Sequence, residues 1–277
     1  MDVSLLRVAA IMLVVSCVSI GYSLAAGPKV SELGNKHNLS SSNTAVTYKA
    51  TVDPANARSN QICIFCHTPH NSRPQTVLWN RADTVTVFGR YSSASLVIRG
   101  STEAQYGEPN GSSRLCLSCH DGVTALGDVL SGGPINFGVN DKITGIAKFD
   151  ANKVKNGHHP ISFYYKDAAL LTALNAKTGT FASTYTFPTD ATVPADVQAA
   201  VKLDKEKRMQ CTTCHDPHQN RSDDATVYPA TTRKVVPFWV YTKSGNTAAQ
   251  DHDAVCKACH LFTMYDPSTS TQPWPTP

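Results

Sequence analysis

A chain of 277 residues with 8% aromatic and 17% charged side chains has the length for one or two domains, yet long stretches of Ser, Thr, Asn, Gly and Pro leave little material for a large side-chain core. The formal charge of +4 is mild and no basic run accompanies it, which excludes the usual electrostatic footprint of nucleic-acid binding. Nothing after residue 26 is apolar for long enough to span a bilayer.

The chain opens with Arg7, an apolar run from Val8 to Ile20, and small residues at Ser23-Leu24-Ala25. That pattern reads as a secretory signal over residues 1-25. The alternative takes "VVSC", ending at Cys17, as a lipoprotein box. The expected mature chain, 26-277, is exported, and once Cys17 leaves with the signal it keeps eight of the nine cysteines. An N-terminal arm carries His37, and "CIFCHTPHN" follows from Cys63 to Asn71. "TVTVF" (Thr84 to Phe88) alternates like a short strand. "CLSCH" spans Cys116 to His120, and a Gly-rich stretch from about Asp121 to Gly157 reads as a linker. His158 and His159 stand before Pro160, and "KDAALLTALNA" (Lys166 to Ala176) reads as a short helix. Pro194 suits a first helical turn, so Ala195 to Met209 reads as a helix leading into "CTTCHDPH". "VVPFWVY" (Val235 to Tyr241) is strand-like but demoted by Pro237. His252, "CKACH" (Cys256 to His260) and the Pro-rich tail "STQPWPTP" complete the chain. Asn38, Asn110 and Asn220 head short matches to glycosylation acceptors.

All eight remaining cysteines fall in four C-x-x-C-H motifs: Cys63, Cys66, His67; Cys116, Cys119, His120; Cys211, Cys214, His215; and Cys256, Cys259, His260. This is the attachment pattern of c-type haem. Two thiols one turn apart can form thioethers to the two vinyl groups on one porphyrin edge, and the next residue swings its imidazole under the ring as proximal iron ligand. Four disulfides or two zinc sites would use the same cysteines, but neither explains a histidine behind every pair. The expected cofactors are therefore four haem c groups. The expected fold is mostly irregular coil with a few short helices and little strand, wrapped around four stacked haems that stand in for a core.

His70 follows His67 by three residues, and His218 follows His215 in the same way. Residues so spaced lie on one side of a turn, whereas the two axial ligands of one haem approach from opposite faces. His70 and His218 are thus expected to serve neighbouring haems, which encodes haem-to-haem proximity. Each half of the chain reads histidine, then C-x-x-C-H-x-P-H, then a plain C-x-x-C-H, so the single domain divides into two dihaem repeats at about 26-140 and 155-277. Ten histidines less four proximal ones leave six for four distal positions. His37, His70, His159 and His218 are the expected distal ligands, with His158 and His252 as surface or supporting residues. Pairing within each repeat gives His67 with His37, His120 with His70, His215 with His159 and His260 with His218. Met209 or Met264 could replace a histidine. With two histidines on every iron no position is open to substrate, so the chain reads as an electron carrier rather than an enzyme. Four bis-histidine haems, each roughly −1 in the ferric state, would bring the charge near zero.

"KHNLS", "CIFCHTPHN", "CLSCHDG", "HPISF" and "CTTCHDPH", in this order, resemble the tetrahaem cytochromes that polymerise into extracellular conductive filaments, the cytochrome nanowires. The resemblance spans His37 to His260. It implies bis-histidine ligation throughout, a continuous haem stack, scant secondary structure, and a histidine of one subunit completing a haem of the next. On that basis His37, on its N-terminal arm, is the candidate for ligation in trans, in conflict with its in-cis pairing above. The extra His158, His252 and the Pro-rich tail depart from the pattern and leave the subunit contact open. The expected function is electron transfer as a homopolymer at or beyond the cell surface, passing respiratory electrons to redox partners or external acceptors. The rivals are a monomeric periplasmic shuttle and a haem oxidoreductase acting on a small oxyanion.

Overall fold

A computed structural model describes residues 27–54, 57–72, 78–89, 91, 108–165, 184–224, 227–228 and 234–261. The expected signal segment, the expected helix over 166–176, Met264 and the Pro-rich tail lie outside them.

Most of the described chain is coil and turn, held by short helices: α1 (Gly111–His120), α2 (Ala151–Asn156), α3 (Ala195–Ala200), α4 (Cys211–Cys214) and α5 (Ala248–Lys257). Two-residue strands β1 (Thr184–Tyr185) and β2 (His260–Leu261) pair antiparallel, Tyr185 opposite His260. No described helix is long and apolar enough to cross a membrane.

The helix expected from Ala195 to Met209 stops at Ala200, and Val201 is extended. The cause is Asp204, whose carboxylate accepts from the backbone N–H of Glu206 and Arg208 at 2.9 and 2.8 Å. A side chain that satisfies nearby backbone donors offers a turn in place of the helix. Thr84 to Phe88 forms no strand among the described residues; the Thr84 hydroxyl takes the N–H of Thr86 and the Glu108 carboxylate that of Phe88. Within Val235 to Tyr241, Trp239 alone bridges another described segment, and Phe238 turns the chain at φ 62°.

The described apolar side chains gather in several small clusters rather than one. The larger two centre on Val197, Tyr228, Trp239 and Val255, and on Leu39, Phe65, Leu126 and Phe137. The stretch read as a linker is therefore part of the packing: Leu126, Val129, Ile135, Phe137 and Ile143 are buried against Phe65, beside the first cysteine motif. The N-terminal arm is likewise tied down. Asn35 and Asn43 are buried and hydrogen-bond the carbonyls of Pro28, Asn35 and Asn38, and Val30 N–H donates to His218 O at 2.7 Å. Gly27 approaches so closely that a Cβ there would lie 2.0 Å from Asn220 O. Asn38 and Asn220 are buried within this network, so neither is a glycosylation acceptor in the folded chain.

Arg81 is completely buried. Its guanidinium donates to the carbonyls of Leu126 (2.6 Å), Ala125 (2.6 Å) and Ser118 (3.1 Å), while Nε has no partner among the described residues. Replacing it with leucine removes the donor to the Leu126 and Ser118 carbonyls, each costing about 1–3 kcal/mol when left buried, while Ala125 O keeps the Asp128 N–H at 3.1 Å. Arg81→Leu is expected to lower stability by at least about 2 kcal/mol, read from the denaturant midpoint of the purified protein.

Candidate metal centres

The four cysteine motifs adopt related local structures. Cys63–Phe65 is a 3₁₀ turn, and Cys211–Cys214 is the single turn of α4. The other two motifs sit at the C-terminal ends of the ten-residue helices α1 and α5. In every case the cysteines are one turn apart, as the spacing requires. None of the eight is joined to another in a disulfide.

The C-x-x-C-H-x-P-H motifs share a further frame. His67 bridges Trp79, and His215 bridges Trp239. Thr68 N–H donates to Leu78 O at 2.9 Å and Asp216 N–H to Phe238 O at 2.7 Å, while Asn80 and Val240 N–H reach back to Cys66 and Cys214 O. Leu78 and Phe238 both take positive φ, 66° and 62°, a conformation bulky residues rarely adopt. Each tryptophan ring stands edge-on to its histidine, at 5.9 Å and 82° for His67 and 5.7 Å and 80° for His215.

α1 and α4 pack together and join the second motif to the third. Gln210 accepts from Ser113 Oγ at 2.6 Å, Cys211 N–H donates to Ser113 Oγ at 2.9 Å, and the Ser112 and Thr212 hydroxyls meet at 2.7 Å. The Cys116 thiol shares a hydrogen bond with Cys211, which raises the pKa of Cys116 and lowers that of Cys211. Burial pushes Cys66 up to about 12, with Cys119 nearby adding to the rise. Burial likewise pushes Cys214 up to about 12, with Cys256 and Cys259 contributing. The thiol pairs thus neighbour one another in chain order: first with second, second with third, third with fourth.

Three proximal-position histidines each face another histidine. Ring centres are 6.2 Å apart for His37–His120, for His67–His218 and for His159–His260. Two imidazole nitrogens each about 2 Å from one metal ion, on opposite sides of it, put their ring centres roughly 6 Å apart. Nδ1–H of His37, His120, His159 and His215 donates to the carbonyls of Pro217, Ala147, Pro160 and Pro237 at 2.8–3.0 Å. A carbonyl can only accept, so these rings carry the proton on Nδ1 and keep the Nε2 lone pair for a metal. Burial holds His37 and His260 down to about 4 and lowers His120, His159 and His215, so all are neutral at physiological pH.

Among the described residues, which include every histidine and all eight of these cysteines, no three or more His, Cys, Asp or Glu side chains converge as a metal-ion site. Paired histidines without further donors fit a metal that brings its own equatorial ligands, as haem iron does. The residues present therefore fit haem c at three positions.

These pairs differ from the within-repeat map. His159 and His260 do share the second repeat, but that map gives each of them a different partner. His37 meets His120 rather than His67, and His67 meets His218 from the other repeat. His37 is half-buried, bonded to Pro217 and stacked on Phe238 at 4.1 Å, so its ring packs within its own chain. The remaining two of the expected eight ligands are His70 and His215. His70 is exposed, with no ring partner among the described residues, and no described histidine ring stands opposite His215. The pairing is not legible in the sequence because it joins segments far apart in the chain.

His158 lies between Tyr91 and Phe149, with its buried Nε2 unpartnered among the described residues. His252 Nε2 accepts from Val236 N–H at 3.2 Å, which occupies the lone pair a metal would need. His252→Ala is accordingly expected to leave the absorption spectrum of the loaded protein unchanged. Met209 is buried in an apolar cluster with Phe163 and Tyr165. No protein-family model matches the chain, and no curated protein matches it.

Proposed function

We propose that this chain is an exported tetrahaem c-type cytochrome that carries electrons and polymerises head to tail outside the cell. The observation that carries the reading is the common 6.2 Å spacing of three histidine pairs, each including the histidine of a C-x-x-C-H motif. Haem c, when bound, supplies a one-electron iron couple within a flat conjugated ring. The cysteine pairs would hold its edge through thioethers, and the carbonyl-bonded imidazoles would keep Nε2 available to the iron. The cysteine motifs, adjacent in chain order, keep the four groups within hopping distance of one another. Coil segments wrapping the cofactors would account for the scarcity of regular structure.

The repeat logic supports the polymer. Within one chain, His218, the extra histidine of the second repeat, faces His67 of the first. His70, the extra histidine of the first repeat, is exposed, and His215 in the second has no described histidine opposite it. The same joint made between molecules would bring His70 of one copy to His215 of the next. Such a heterologous contact joins copies head to tail and propagates as a filament when its rotation does not close a ring. The partner is thus a second copy of the chain, with respiratory donors and external acceptors at the filament ends.

The unmatched His215 also favours a second reading, an oxidoreductase using the opposite face of that haem on a small oxyanion. Electron microscopy of protein sheared from the cell surface, with an intact-mass count of haems and the oxidised spectrum, separates the readings. Filaments with four low-spin haems support the wire. Monomers with four low-spin haems make it a periplasmic shuttle, and a persistent high-spin haem in a monomer turns the reading to the enzyme.

A further inference from the structure

We propose that the fold sorts its histidine pairs into two electronic classes by turning the imidazole planes: parallel at His67–His218, near-perpendicular at His37–His120 and His159–His260. The inference rests on the tetrahaem reading above. The interplanar angles are 13° for the first pair and 70° and 77° for the other two.

The planes are held by this chain's own groups. The Nδ1 bonds of His37, His120 and His159 to Pro217, Ala147 and Pro160 fix those rings against rotation. His67 has a different restraint, the edge-on Trp79 ring at 5.9 Å. His218 Nδ1 lies 3.7 Å from Asp216 Oδ1, on the loop that also bonds the His218 N–H to that carboxylate at 2.9 Å. Trp79 is therefore the positioning residue for the parallel pair, while Asp216 holds the His218 backbone.

Imidazole π orbitals act on the iron orbitals that point along the ring normals. Two parallel rings act on the same iron orbital and separate it in energy from its neighbour. Two perpendicular rings act on both equally and leave them nearly degenerate. In low-spin ferric iron the first arrangement gives a rhombic paramagnetic spectrum and the second a single strongly anisotropic feature at large g. The separation also stabilises the ferric state, in which one of these orbitals is half-filled, and does nothing for ferrous iron, where both are full. Ligand-plane orientation alone thus makes the His67–His218 site the harder one to reduce. This is a lever on the potential exerted through axial-ligand geometry rather than ligand identity.

Low-temperature electron paramagnetic resonance of the fully oxidised, exported protein tests this, alongside an intact-mass count of haems. The expected spectrum holds both a rhombic low-spin signal and a large-g signal. His218→Ala should remove one haem's share of the rhombic signal and spare the large-g signal, whereas His37→Ala should do the reverse. Trp79→Leu, which leaves every ligand in place, should shift the rhombic g values with the haem count unchanged. Four haems with a single class of signal, or loss of large-g intensity in His218→Ala, overturns the inference and leaves the tetrahaem reading standing. A chain that carries no haem overturns both.

Discussion

His70→Ala is expected to abolish filaments while leaving a folded, soluble protein with one high-spin haem. His70 is exposed, its ring has no hydrogen bond or ring partner among the described residues, and the local bonds are to its backbone, Thr68 Oγ1 to His70 O at 2.6 Å and His70 N–H to Thr68 Oγ1 at 3.4 Å. Removing its side chain should therefore cost the monomer little, within about 0.5 kcal/mol as for most surface substitutions. If it caps the haem at His215 of the next molecule, that iron loses its sixth ligand and the joint loses its central bond. Filament mass should fall to background, and a high-spin band should account for about a quarter of the haem, the other three pairs being complete within the chain. His37→Ala provides the contrast. It empties a position opposite His120 inside the chain, so it too should produce one high-spin haem, but with filaments retained. Filaments of His70→Ala with four low-spin haems would sink the joint assigned to His70. Loss of filaments in His37→Ala alone would return the trans ligand to the N-terminal arm.

The haem-free chain, with the eight C-x-x-C-H cysteines replaced by serine, is expected to lose cooperative unfolding altogether. The described apolar side chains form separate clusters, one as small as Phe88, Leu117 and Val154. A domain of this length ordinarily buries one contiguous core. Here the buried set includes a large share of polar groups, among them Asn35, Asn43, Asn80, Arg81 and Asp251. Such groups hold their places through hydrogen bonds that contribute only about 1 kcal/mol each, net of those lost to water. Against a typical folding stability of roughly 5–15 kcal/mol, the loss of the four large apolar cofactors proposed above should leave no stable native state. Thermal scans of the serine variant by circular dichroism should show a broad, sloping change in place of a transition. A sharp transition near that of the loaded protein would mean the polypeptide builds its own core, and the role given to the cofactors would fall.

Much of the site is legible in the sequence. The C-x-x-C-H motif is a local device: two thiols one turn apart and an imidazole next to them need only a short turn, which α4 and the 3₁₀ turn at Cys63 supply. The extra histidines at 70 and 218 are visible for the same reason, and so is the argument that each must serve a site other than its neighbour's. Sparse regular structure follows from composition, and the described chain is mostly coil with short helices.

Other features depend on contacts that no periodicity or composition reveals. Asp204 ends α3 early by bonding Glu206 and Arg208, a competition invisible to helical periodicity. The Gly-rich stretch becomes packing material because Leu126 and Phe137 meet Phe65, a partner more than fifty positions away. Histidine pairing shows the division most clearly. A proximal ligand is set by bonds along the chain, so its position can be read from spacing. A distal ligand must reach the opposite face, and a chain cannot fold back on itself within a turn to do so. Whether His37 meets His120 or His67 is decided by how the N-terminal arm docks on the loop at Pro217, through long-range packing that no local pattern encodes.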